Sequence, residues 1–272
     1  ESGVAETLFE QIGSVAINDN VASYVPTPPE RVLANYYKGM AYWAKGDKNN
    51  AHAEFNRADV RAKKALERYE DEVAKAKAEA SKDKNKKLNQ SKGLQDEIYK
   101  KYPNVDEWVT YDNFVNPTVV YSNALLYGAG SGSDIEQAND LLERVYGMTG
   151  QENSVIESDM TELEKSNGLG KKGGVWVIYE AGMSPALKEN RFDIPLPLND
   201  RVILLSFAFP EIVNNRGAFI GHTLKLNGKE LKTTELTTME KLMQTEFKKR
   251  WPAVQARAIG SAVGKALLQN AA

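Results

Sequence analysis

The segment "EAGMSPALKENR" carries four ionisable side chains, Glu180, Lys188, Glu189 and Arg191. Two carboxylates this close in sequence can do general acid and base work when a cleft drives their pKa values apart. They can also be structural. In the arrangement the residues favour, Glu180 ties down its turn by accepting backbone N–H bonds while Lys188 and Arg191 face water. Ser184 stands before a proline, outside the G-x-S-x-G frame of a nucleophile elbow, and only two histidines, His52 and His222, exist to serve it.

Other chemistry leaves weaker traces. Neither histidine has a second ligand at helical spacing, and the chain has no cysteine, so a zinc or thiolate site is not expected. "GLGKKGG" lacks the Gly-x4-Gly-Lys-Ser/Thr order of a phosphate loop, and "GAGSGSD" offers one acid where a calcium loop offers several. No cofactor is expected. Lys+Arg 35 against Asp+Glu 37 gives a net charge of -2, and no aromatics are interleaved in a basic stripe, so nucleic acid is not an expected partner. "KDKNKK", over 82–87, is basic enough for phosphate contact but reads first as a solvated helix end or hinge.

The elements that must position these residues fall into two sets. A first helix is expected around Ala5 to Val15, and prolines end it. Pro28 and Pro29 then open a helix that runs to Ala44, "KGDKNN" breaks it, and another begins near Asn50. Gly39, Tyr42, Ala51, Phe55 and Ala58 fall at the small and large positions of a tetratricopeptide repeat, whose two antiparallel helices cross at small residues. Lys38 departs from that pattern. Gly39 and Ala51 would allow close approach, with Tyr42 and Phe55 filling the space beside them; an ordinary helical hairpin is the alternative.

The second helix has no breaker where a repeat should end. Ala62, Leu66, Tyr69, Val73, Ala76 and Ala80 form a heptad seam, expected to pack on a returning helix over 93–102 with Leu94 and Ile98 inward. Ala124, Tyr127, Ala138, Leu142 and Val145 repeat the hairpin pattern with a longer turn, and Ser133 or Asp134 can cap its second helix.

Residues 151–174 are polar and then glycine-rich, which reads as a linker or mobile loop. "GVWVIYEAG", "RFDIPLPL" and "RVILLSFAFPEI" read as strands, and Asn227-Gly228 as the type I′ turn of a hairpin. A helix over 238–250, a break at Pro252 and a last helix complete this part. Gly260 and Gly264 in the last helix suit close packing against its own sheet. The expected fold is α+β: a TPR-like antiparallel helical domain with one unusually long helix over 1–150, the linker, and a small domain with a mainly antiparallel sheet over 175–272.

"YYKGMAYWAKGDKNNAHAEFNRA", "NFVNPTVVYSNALL", "VWVIYEAGMSPALKENRFDIP" and "ARAIGSAVGKALL", in that order, resemble a family of bacterial envelope lipoproteins with tetratricopeptide-like helices before a strand-rich C-terminal domain. The most specific part is the segment with Glu180, Gly182, Pro185, Lys188 and Glu189. The resemblance implies export to the periplasm or outer membrane, a lipid anchor on a cysteine preceding Glu1 and, since members of the family are often encoded near activators of cell-wall synthases, a role in envelope assembly. It brings no catalytic residues. Glu1 in place of Met permits a removed signal peptide without requiring one.

The expected function is a non-enzymatic scaffold that binds a protein or peptide in a helical groove. Tyr36, Tyr37, Trp43 and Arg57 are the groove candidates, with Trp43 alternatively a core residue. Glu180, Lys188, Glu189 and Arg191 form a second candidate surface, either protein-binding or, in the alternative reading, belonging to an envelope enzyme or glycan-binding protein. A homo-oligomer built through the long and last helices is the third reading.

Overall fold

The computed structural model describes residues 26–82, 92–101, 105, 108, 110, 111, 114–198, 201–213 and 223–271. The expected first helix at 5–15, the 83–87 part of "KDKNKK" and His222 lie outside them. Among the described residues the fold is α+β, with seven helices and two small antiparallel sheets.

Helix α1 (Pro28–Ala44) begins where the Glu30 carboxylate accepts the Thr27 N–H at 2.6 Å and the Thr27 hydroxyl at 2.8 Å, with Pro28 in the first turn. Helix α2 (Lys48–Lys82) starts at Asp47, whose carboxylate accepts the Asn50 N–H at 3.1 Å, and its 35 residues make it about 50 Å long. The expected spacing describes how the two pack. A Cβ built on Gly39 would lie 2.6 Å from the Phe55 ring, so the helices approach over the only residue type that leaves room. Ala51, Phe55, Ala58 and Ala62 are all buried along the contact.

Helices α3 (Lys92–Lys101), α4 (Pro117–Gly128), α5 (Ser133–Met148) and α6 (Ser154–Ser166) follow. Asn116 caps α4 by accepting the Thr118 N–H at 2.9 Å. Ala138, Leu142 and Val145 are buried as expected, but Gly132 takes the N-cap of α5, not Ser133 or Asp134, because the backbone there has φ +62°. The expected linker over 151–174 contains α6. Asn153 caps it, Ile156 and Leu163 bury its inner face, and Asn167 ends it in the left-handed region.

Strands β1 (Ala186–Leu198) and β2 (Arg201–Val213) pair antiparallel from Ala186↔Val213 to Leu198↔Arg201, and β3 (Thr223–Leu226) pairs with β4 (Lys229–Lys232). The turn between β3 and β4 has φ +50° at Asn227 and +79° at Gly228, as a type I′ turn requires. "GVWVIY" is extended but joins no sheet among the described residues. Helix α7 (Met239–Ala271) runs through Pro252 without the expected break. The proline removes one N–H donor, while Trp251 and Ala253, both buried, hold the two halves in line.

Two clusters of buried residues result. One fills the space between α1, α2, α4, α5 and α6; the other lies between β1, β2, α3 and α7. The α2 seam is real, with Ala62, Tyr69 and Ala76 buried, yet its main partner is α7 and not the helix over 93–102. Leu94 and Ile98 do point inward, into the cluster beneath the sheet.

Candidate functional site

Along α1, Tyr36, Tyr37, Met40, Trp43 and Ala44 recur at three- and four-residue steps, which brings them to one side of the helix. The extended segment after α6 meets that side. It is tied at successive points: the Leu169 N–H donates to the Gly128 carbonyl at 2.7 Å, the Trp176 indole N–H to Asp159 at 3.1 Å, and the Tyr37 hydroxyl to Glu180 at 2.6 Å. Trp176 and Ile178 face the helices while Val175, Val177 and Tyr179 alternate outward, the two-residue period of an extended chain.

Between this segment and helices α1 and α4 lies a cavity of about 400 Å³. It is lined by Met40, Trp43, Ala44, Leu125, Ala129, Leu169, Trp176 and Ile178. Every lining side chain is apolar, and two of the chain's four tryptophans are among them. The glycines of "GLGKKGG" have a packing role here. A Cβ on Gly174 would stand 2.8 Å from the Trp176 ring, and one on Gly170 3.3 Å from it.

Asp159 anchors the wall from behind. It is buried and accepts hydrogen bonds from the Tyr121 hydroxyl and the Trp176 indole. Burial pushes its carboxyl above the usual range, although both hydrogen bonds work in the opposite direction.

The expected groove residues separate. Tyr36 is only 2% exposed and packs beside Phe55, so it is core. Tyr37 is 52% exposed and Trp43 lines the cavity. Arg57 does not join them. It pairs with the buried Glu54, which also takes Lys38 at 2.8 Å and Asn35 at 2.5 Å.

The second candidate surface separates as well. Glu180 is held by Tyr37 and not by its own turn, whereas Glu189 pairs with Arg191 at 2.9 Å on β1, and Lys188 is exposed opposite Glu211. Each carboxylate has its own partner. Glu180 meets Tyr37 directly and also acts on Tyr36, whose ring lies 5.1 Å from that of Tyr37, so the fold brings these three residues together from the two candidate sets. His52 is occupied too, with Nδ1 2.8 Å from Asn123 Oδ1 and its ring stacked on Tyr127 at 3.8 Å. Among the described residues no three histidine or acidic side chains gather to hold a metal ion, and no helix is long and apolar enough to cross a membrane.

The Tyr37–Glu180 bond has a pH signature. The carboxylate's hydrogen bond, with burial second, pushes the Tyr37 hydroxyl up to about 12 from 10.0. A raised folded-state pKa means the bond's contribution is fully present below the unfolded value of 10.0 and is lost as pH rises through about 12. Glu180→Gln should move the Tyr37 titration back toward 10.0, read by tyrosine-labelled NMR. An unmoved titration would mean the bond does not form in solution.

No protein-family profile, curated protein or solved structure matches the chain.

Proposed function

We propose that this chain is a non-enzymatic binding scaffold of the bacterial cell envelope, and that its working surface is the apolar cavity between α1, α4 and the extended segment over 169–178. The observation that carries this reading is the cavity itself, about 400 Å³ with an all-apolar lining that includes Trp43 and Trp176. That volume and lining suit one large apolar side chain, or a short cluster of them, presented by a protein or peptide partner. The two helical hairpins, with their small residues at the crossings, act as TPR-like units that set α1 and α4 as two walls of the cavity. The envelope location rests on the family resemblance.

The enzymatic reading has less support, because Glu180 and Glu189 are engaged separately by Tyr37 and Arg191. Acid and base work needs two groups converging on one reacting centre.

The cavity can be tested with a defined probe, the fluorescent dye bis-ANS. Wild type should bind it saturably, with energy transfer from tryptophan. Ala129→Trp, which fills the cavity from its exposed side, should weaken binding about tenfold or more, equivalent to about 1.4 kcal/mol. Equal affinity in the two proteins would place the dye elsewhere and remove the cavity from consideration.

A further inference from the structure

Sheet edges in the C-terminal part are asymmetric, and the asymmetry can be read from three prolines. Facing residues in an antiparallel ladder alternate between pairs that exchange both hydrogen bonds and pairs that exchange none. Proline has no N–H, so an unbroken ladder must place it in the second kind of pair. Pro195 faces Leu204, Pro197 faces Val202 and Pro210 faces Glu189, all within one alternating set. The bonded pairs are therefore the others, such as Ile194 with Leu205.

It follows that the backbone groups of Val202, Leu204, Ser206 and Ala208 point away from β1. Among the described residues no strand pairs with that edge of β2. The opposite edge, on β1, is protected: Pro195 and Pro197 supply no donor, and Glu189, Arg191 and Asp193 carry charge. The β2 edge has no such protection from Val202 to Phe209, a run without one charged residue. Val202 is 68% exposed and Leu204 58% exposed on its outer face. An uncharged strand of high β propensity with an open edge is a template for pairing.

We infer that the β2 edge pairs antiparallel with β2 of a second copy of this chain, about a two-fold axis at Leu205. This register opposes Val202 to Ala208 and Leu204 to Ser206 of the second copy, with all four outward-pointing backbone sets used. No like charges meet across the join. The assembly closes at four strands, because the edges left over are the proline-blunted β1 edges, so a dimer forms in place of a fibre. This interface is separate from the apolar cavity and does not depend on it.

The test is sedimentation of the purified chain at micromolar concentration, wild type against Ser206→Pro. Position 206 has the same parity as the three natural prolines, so the substitution removes an outward donor and leaves the β1–β2 ladder intact. Wild type should sediment as a dimer and Ser206→Pro as a folded monomer. Should Ser206→Pro fail to fold, Ser206→Lys decides by the same readout.

Because the chain has no cysteine, the register can be checked directly. Mixing Leu204→Cys with Ser206→Cys should give a mixed disulfide in preference to either homodimer, since Cα atoms of a bonded pair stand about 5.5 Å apart. A monomeric wild type, a dimer indifferent to the substitutions at 206, or open-ended growth would each overturn the inference.

Discussion

Replacing Glu246 with alanine is expected to cost about 3–5 kcal/mol of stability, the amount by which breaking one partner of a buried ion pair usually destabilises a protein. Glu246 sits on α7, almost wholly buried, and accepts the Tyr69 hydroxyl of α2 at 2.8 Å and the Arg250 guanidinium at 2.5 Å. Arg250 is itself largely buried, its side chain 14% exposed, and lies 5.7 Å from the Tyr69 ring centre. Alanine leaves that guanidinium without its nearest carboxylate and strands the tyrosine hydroxyl. The damage should not remain local, because this network lies where the long helix of the helical body meets the helix that carries the sheet. Urea denaturation should show one transition moved to lower denaturant. The double variant Glu246→Leu with Arg250→Leu should regain most of the loss, since removing both charges removes the uncompensated burial. A loss below about 1 kcal/mol, the usual value for an exposed pair, would mean that water reaches this network.

The second large effect lies at the crossing of α1 and α2. Phe55 is fully buried, so Phe55→Ala should cost about 3–5 kcal/mol through lost transfer energy and the cavity left behind. Gly39→Ala, alone, should cost about 1–3 kcal/mol, because its new methyl would lie 2.6 Å from the buried ring, which must shift to admit it. In a Phe55→Leu background the same change should become neutral or stabilising by up to about 1 kcal/mol, the ordinary helical preference for alanine over glycine. The reversal of sign is the prediction. Additive effects in the two backgrounds, measured by thermal or urea unfolding, would show that Gly39 and Phe55 do not meet.

That crossing is also where the sequence was most legible. A glycine and a phenylalanine at fixed offsets in consecutive helices imply contact, and the contact is there. Two of the three expected strands were legible from composition, being rich in Val, Ile, Leu and Phe between turn residues, and in β2 the residues Ile203, Leu205, Phe207 and Phe209 alternate inward. What failed was the assignment of partners. The α2 seam identifies a buried stripe but carries no information on which helix covers it, and α7 covers it from far along the chain. Helix α6 was hidden by polar neighbours, although Asn153 as a cap and the apolar positions 156, 160 and 163 mark it.

"GVWVIY" has the composition of a strand, but its inward residues are used by helices. Of the cavity lining, the sequence singles out only Trp43 as a binding candidate. Leu125, Ala129, Leu169, Trp176 and Ile178 come from three separate stretches, and spacing rules relate residues within an element, not across a fold. The one available signal was the pairing of Trp176 with glycines at 170 and 174, where a large ring needs room.

If the function proposed here is right, the apolar cavity is where a partner binds. A photo-reactive amino acid at Ala44, an exposed residue of the lining, tests it inside the cell that makes the protein, with the same group at exposed Glu67 on α2 as the control. Position 44 should give a discrete protein adduct and position 67 none, and the first should be lost when Ala129→Trp fills the cavity. An adduct that survives Ala129→Trp, or the absence of any protein adduct from position 44, would contradict it.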